Sequence, residues 1–336
     1  MWRCVALFLL VGLPAHGQGP ADAPPDDLGQ TGLYVPGSIA TVRPDNVSFS
    51  PQYPLWSDSA TKRRWLHIPA GTFIDASRPD AWEFPRGTKV WKEFSHGRRV
   101  ETRFIERLDD GSFRYATYVW NEEGTQALLA PAEGIRALPV AGAPRGRYVI
   151  PAESDCRACH ESAAAPLLGA SALQLSQDRD PLAPHAEYPG DVDLPGLQAR
   201  GWLRNLPEAL RERAPRIRSP SPESRAALGY LHGNCGHCHN DNGSPAPVDL
   251  VLAQSAATNA TSYESLVASL TGKTSRYRTR GMPVDAPLID AGRPDTSVLI
   301  ARMRSRDPLT QMPPLGTQLV DTESMKLIEH WIRNSP

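Results

Sequence analysis

Asn234-Cys235-Gly236-His237-Cys238-His239 sets the reading of everything around it. A Cys-x-x-Cys-His run is the attachment pattern of a covalent c-type haem. Two thiols three residues apart face the same way on a helical turn, so both reach the vinyl groups of one porphyrin. The next residue, His239, then lies under the iron as its proximal ligand. Far upstream, Cys156-Arg157-Ala158-Cys159-His160 repeats the pattern. The expectation is two covalently attached haem c groups. Cys156, Cys159, Cys235 and Cys238 would supply the thioethers, and His160 and His239 would bind iron.

The cysteine count supports that reading. Of five cysteines, four fall in the two runs, and the fifth, Cys4, belongs to a leader. Met1-Trp2-Arg3 is positive, Cys4 to Leu13 is unbroken apolar sequence, and Ala15-His16-Gly17 suits cleavage before Gln18. That apolar stretch is too short to span a bilayer. Residues 1–17 therefore read as a secretory signal peptide, which places the mature chain in a bacterial periplasm or similar compartment. Two disulfides or a four-thiolate zinc site would also use four cysteines. Neither explains a His directly after both pairs, and zinc knuckles are usually closer in sequence. No later stretch reaches transmembrane length. The net charge of −1 points away from nucleic acid and anionic membranes as partners.

With 336 residues, 33 of them Pro and 26 Gly, short elements joined by turns are expected. The fold class is a multidomain α+β chain. Residues 18–46, rich in Pro, Gly and Asp, read as a linker. Residues 47–150 read as an antiparallel β domain, sandwich-like. Its strands include 62–68, 88–94 and 100–108, with Asp109-Asp110-Gly111 as a hairpin turn into 112–120. Phe113, Tyr115, Thr117 and Val119 share one face of that last strand. Five of the eight tryptophans lie here (Trp56, Trp65, Trp82, Trp91, Trp120). Their size favours a role in the core over an exposed binding surface.

Residues 151–220 form the first haem region, with a helix and turn between Arg200 and Arg218. Residues 221–336 form the second. There Ser221-Pro222-Glu223 opens a helix that runs into Asn234. Asp321 caps another over 322–333, with Met325, Ile328, Trp331 and Ile332 as its buried stripe.

Each iron needs a sixth ligand. For the second, Met312 in Gln311-Met312-Pro313-Pro314 follows His239 at a separation that leaves room for short helices around a haem, and its loop is stiffened by proline. Met303, inside a helical stretch, suits packing better. For the first, His185 is the nearest uncommitted histidine; Met282, His67, His96 or an open site are the alternatives. His237 reads as a solvent-facing position, and His232 as a cation at a helix end in preference to a hydrogen-bond donor behind the iron ligands. From Lys273 to Arg306 eight cations face three aspartates, an excess of +5. That segment would dock an acidic redox partner protein or hold haem propionates.

The last third, from Tyr230-Leu231-His232-Gly233-Asn234-Cys235 to Met312-Pro313-Pro314 and the Trp331 helix, resembles bacterial class I cytochrome c domains. The whole chain resembles a family of exported bacterial dihaem c-type cytochromes, mostly uncharacterised. Tyr53-Pro54-Leu55-Trp56-Ser57-Asp58, Phe84-Pro85-Arg86-Gly87-Thr88, Asp155 to His160 and Arg179-Asp180-Pro181-Leu182-Ala183-Pro184-His185 carry the likeness. It implies two haems and periplasmic redox work, with the substrate open. Electron transfer is the leading expectation. A peroxidase-like enzyme with an open first haem, and a β domain that targets the haems to a partner or glycan, are the rivals.

Overall fold

The computed structural model describes residues 23–184, 187–242, 250–257, 262–277 and 281–334. His185 and the expected signal peptide lie outside these. Strands β1 (Asn46–Ser48), β2 (Thr61–His67), β4 (Lys89–His96), β5 (Arg98–Arg107), β6 (Phe113–Trp120) and β7 (Ala127–Leu129) form one antiparallel sheet in the order β1-β2-β4-β5-β6-β7. The β5–β6 hairpin turns at Asp109-Asp110-Gly111, as expected. Gly111 takes φ 93°, and the Asp110 carboxylate accepts from the Ser112 amide and hydroxyl. Such a left-handed φ suits Gly because it lacks a Cβ.

The register sorts the side chains into two faces. Val47, Leu66, Val90, Ile105 and Tyr115 lie opposite one another across five strands, and Trp65, Trp91, Phe104 and Ala116 line the other face. Both faces are buried. Trp65, Trp82, Trp91 and Trp120 are core residues, which agrees with the packing role read for them.

What covers those faces differs from the expected sandwich. Residues 23–46, read as a linker, instead cap the Trp91 face: a 3-10 turn at Leu28–Thr31 buries Leu28, and Leu33 and Tyr34 follow it into the core. Trp91 donates its indole N–H to the Thr31 hydroxyl at 2.9 Å, giving the one polar atom of that ring a partner. The opposite face packs against the segments from Ile74 to Phe84 and from Leu167 to Leu206, which are mostly irregular. No second large sheet is present among the described residues. The other strands pair only in twos: β3 (Ile74–Asp75) with β10 (Leu203–Arg204), and β8 (Ile135–Pro139) with β9 (Arg147–Ile150). Apolar residues on both strand faces required two covers, and proline-rich chain supplies them where a sheet was expected.

Seven helices are described: α1 (Glu153–His160), α2 (Leu194–Ala199), α3 (Glu208–Glu212), α4 (Pro222–Asn234), α5 (Ser262–Leu270), α6 (Val298–Arg304) and α7 (Thr322–Asn334). Helix α4 starts as its sequence dictates, with Ser221 accepting from the Ser224 amide and Pro222 in the first turn. The Asp321 carboxylate caps α7 through the Ser324 amide. Met325, Ile328, Trp331 and Ile332 are all buried, and α7 packs on α4.

One face of α4 carries no side chains at Gly229 and Gly233, and there the Tyr53 segment lies directly on the helix backbone. A Cβ on Gly229 would sit 1.9 Å from the Tyr53 ring, and one on Gly233 would sit 2.3 Å from the Tyr53 carbonyl. Asn234 then accepts from the Trp56 amide at 2.7 Å, so the strand region and the helical region are locked together at the helix end. Tyr53, Leu173 and Ala183 share one apolar cluster with α4, α6 and α7. No helix among the described residues is long and apolar enough to cross a membrane.

Candidate functional site

The first motif is a helix in its own right. The Asp155 carboxylate accepts from the Ala152 amide, and Arg157 bridges Glu153 and Glu161 along the outer side. Cys156 and His160, four residues apart, therefore share the inner side, which lies on β6. The Tyr115 ring is 5.5 Å from the His160 ring. Cys156 borders a cavity of about 200 Å³ whose walls include Tyr115, Thr117, Ala130 and Pro151.

His160 has a defined orientation. Its Nδ1 lies 2.6 Å from the Pro166 carbonyl, an acceptor only, so Nδ1 carries the proton and Nε2 keeps its lone pair. Burial pushes the imidazole down to about 4, with nearby Lys92 and Arg103 adding to the shift. It is neutral at physiological pH and able to donate electrons to a Lewis acid at Nε2.

The second motif follows α4 as a tight turn. Cys235 ends the helix, and the Cys238 and His239 amides bond back to the Cys235 carbonyl. The Gly236 position has no room for a side chain: a Cβ would fall 2.7 Å from the His232 carbonyl and 2.9 Å from the Ala253 Cα. Residues 252–254 pass over the turn here. The Leu252 amide donates to the His239 carbonyl at 2.8 Å, and the Gln254 amide donates to His232 Nδ1 at 3.0 Å. That bond fixes His232 as the neutral Nε2–H tautomer, and burial lowers its pKa to about 4. The expected helix-end cation is thus a half-buried neutral ring. His239 is buried, its pKa lowered by burial and then by the Arg302 charge, and its Nδ1 has no partner among the described residues.

The two motifs meet. One ligand atom from each of Cys159, His237 and Cys238 lies within 4.8 Å of the others. The Ser162 hydroxyl reaches the His237 carbonyl at 3.2 Å, and the Asn240 amide reaches the Ser162 carbonyl at 3.1 Å. His237, expected to face solvent, faces the first motif. All four cysteines are free thiols. Burial raises Cys235 to about 12; contact with Cys238 and burial raise Cys159 to about 12.

Met312 is half-buried in its loop. Its amide donates to the Arg302 carbonyl at 3.0 Å, so it is tied to the residue whose charge acts on His239. Met303 is buried in the core, as expected of a helical position. His67 points to the Trp91 face, away from α1, with Asp45 3.7 Å off. The basic segment is partly consumed internally. Arg293 pairs with Asp290, Arg304 with Asp295 and Glu329, and Arg302 covers the Tyr277 ring, while Arg278 and Arg280 lie outside the described residues. Sequence reasoning did not anticipate the meeting of the motifs.

No family model matches the chain, and neither a curated protein nor a solved structure matches it.

Proposed function

We propose that this chain is an exported dihaem c-type cytochrome that carries electrons between its two haems and a redox partner protein. The observation that carries the reading is the meeting of Cys159 with His237 and Cys238 within 4.8 Å, although the two motifs lie far apart in sequence. Two redox centres placed at those motifs would be immediate neighbours, as a relay requires.

The residues fit the group. Each site offers two free thiols and one neutral imidazole. The His160–Pro166 bond is the outer-shell contact that orients an iron-ligating ring and raises its basicity. A thiol that stays protonated suits attachment, because the S–H adds across a vinyl C=C with no proton left over. The haem iron, when bound, supplies a one-electron ferrous/ferric couple. The chain's own work is to hold Nε2 of His160 and His239, exclude water and present Met312. The α4–α7 pair and the Met312 loop support the finer reading that 221–336 is a class I cytochrome c-like domain. His185 is retained as the sixth ligand proposed for the first iron.

The mature protein should weigh two haems more than its polypeptide by intact mass. A bare mass would remove the reading. One specific observation favours a rival: Cys159, His237 and Cys238 also form a three-ligand set for a soft metal such as zinc. The two readings exclude each other, since a sulfur in a thioether is no longer a thiolate. Metal analysis that finds zinc and no haem iron would decide for the rival.

A further inference from the structure

The sheet holds a row of cations in a place where a sheet does not ordinarily tolerate one. Arg64, Lys92 and Arg103 lie directly opposite one another on β2, β4 and β5. Lys62, two residues before Arg64, shares their face. Like charges opposed across a ladder repel, and these four sit on the inner face of the sheet beneath α1.

Their compensation within the protein is incomplete. Arg103 has a carboxylate, Glu101, at 2.6 Å, which also accepts from the Tyr148 hydroxyl. Arg64 is only 7% exposed, and its guanidinium makes no hydrogen bond or ion pair among the described residues. Among the described residues Lys92 meets the Phe94 ring, 4.7 Å away, and Lys62 donates to the Leu55 carbonyl. Tyr188 and Asp191 act on Arg64 through space; Asp191 accepts from Ser50 and the Tyr188 amide at Oδ2, while its buried Oδ1 has no hydrogen-bond partner among the described residues. Among the described residues only Arg103 of the four has a carboxylate in contact; Asp58 and Asp321 act on Lys62, Asp191 on Arg64 and Glu101 on Lys92 through space. Burial and mutual repulsion lower Lys62 to about 7 and Lys92 well below the ordinary lysine range. An arginine does not escape the cost by losing its proton.

The row also sits at the first motif. Arg103 acts on Cys156, and Lys92 and Arg103 both act on His160. Arg103 keeps 28% of its side-chain surface accessible.

We infer that the Arg64–Lys92–Arg103 row, extended by Lys62, is an anion cradle for the two propionate carboxylates of the haem at Cys156–His160. It rests on the proposed dihaem function. A propionate pair brings two negative charges on short arms from one edge of the ring whose other edge the thioethers fix. The row lies on the same sheet face as Tyr115, against which His160 packs. A buried, preformed cationic site then holds the haem edge-in and disfavours the positive charge gained on oxidation.

The test is a spectroelectrochemical titration of the intact two-haem protein, with intact mass on every sample. Lys92→Met and Arg64→Gln should each lower the midpoint potential of one haem and leave the other in place. The unmoved haem should be the one that carries the sulfur-to-iron band. Lys92→Arg should restore the wild-type midpoint. Removing a repelled cation should not harm folding, and Arg64→Lys, which keeps the charge, controls for any loss of fold. Succinate added to the wild-type protein tests for a free dicarboxylate and should change neither midpoint nor spectrum. Two haems by mass with both midpoints unmoved in both variants would overturn the cradle and leave the function standing. A saturable succinate response would overturn it too, by showing that the row is open to a free anion. A mass without haem would remove the function and the cradle with it.

Discussion

The two Cys-x-x-Cys-His runs share a pattern and almost nothing else. At Cys156–His160 the motif is the helix, and a β-sheet is its floor: Tyr115 lies against His160, and Arg103 and Lys92 act on it. At Cys235–His239 the motif is a turn after the long helix α4, walled by α6, α7 and the coil at 252–254. The first site is polar below and cationic. The second is apolar, its nearest charge being Arg302. One five-residue pattern can thus be hung on two scaffolds that impose opposite electrostatics, and the scaffold is where two chemically equal sites become unequal.

The largest expected effect separates the sites outright. Cys156→Ala with Cys159→Ala should leave a protein one haem lighter by mass that keeps the sulfur-ligated band. Cys235→Ala with Cys238→Ala should lose that band along with its haem. If either pair of changes removes both haems, the sites are not independent and the contrast collapses.

Next comes the Tyr53 contact that holds the second scaffold to the sheet. Gly233→Ala gains about 1 kcal/mol of helix propensity but forces a Cβ to within 2.3 Å of the Tyr53 carbonyl. Backbone displacement on this scale costs about 1–3 kcal/mol or more, so a net loss of stability is expected in urea melts. An unchanged or raised midpoint would mean that the two regions are not locked there.

The pH response sharpens the electrostatic contrast. His232 sits near 4 in the fold against an ordinary value near 6.5, so the unfolded chain binds the extra proton first. Its contribution to stability is present above pH 6.5 and lost as pH falls toward 4. His232→Gln, which still offers an acceptor to Gln254, should flatten the fall in stability between pH 7 and 4.5 by about 2 kcal/mol. Equal slopes in variant and wild type would show that the ring is protonated in the fold.

The smallest effect is at the seam. Asn240→Ala removes the bond to the Ser162 carbonyl and should cost about 1 kcal/mol. It should also weaken the mutual influence of the two midpoints in a stepwise redox titration. A stability loss with that mutual influence intact would place the coupling elsewhere.

Local signals were legible where one residue type answers one geometric demand. Ser221-Pro222-Glu223 fixes the start of α4, Asp109-Asp110-Gly111 turns a hairpin, and the four buried residues of α7 repeat at helical spacing. The covers of the sheet were not legible. Apolar residues on both faces of β5 and β6 state that something must lie over them, but not that it would be residues 28–42 on one side and 167–206 on the other. The row Arg64, Lys92 and Arg103 was hidden for the same reason. Each looks like an ordinary surface cation until the register places the three opposite one another. His237 looked free because its neighbour in space, Cys159, belongs to the other motif and is remote in sequence.

On the proposed function, the closeness of Cys159 and Cys238 would also set an order of events during maturation. Within 4.8 Å, two unprotected thiols in an oxidising compartment need only lose two hydrogens to an oxidant to weld the motifs together. A chain that folded before its thiols were capped would close that bridge and forfeit one attachment point in each motif. On that reading, haem attachment would have to precede the docking of α1 against the turn after α4, or proceed under a reductant that keeps both thiols open. The compact native state would be a kinetic trap for its own precursor.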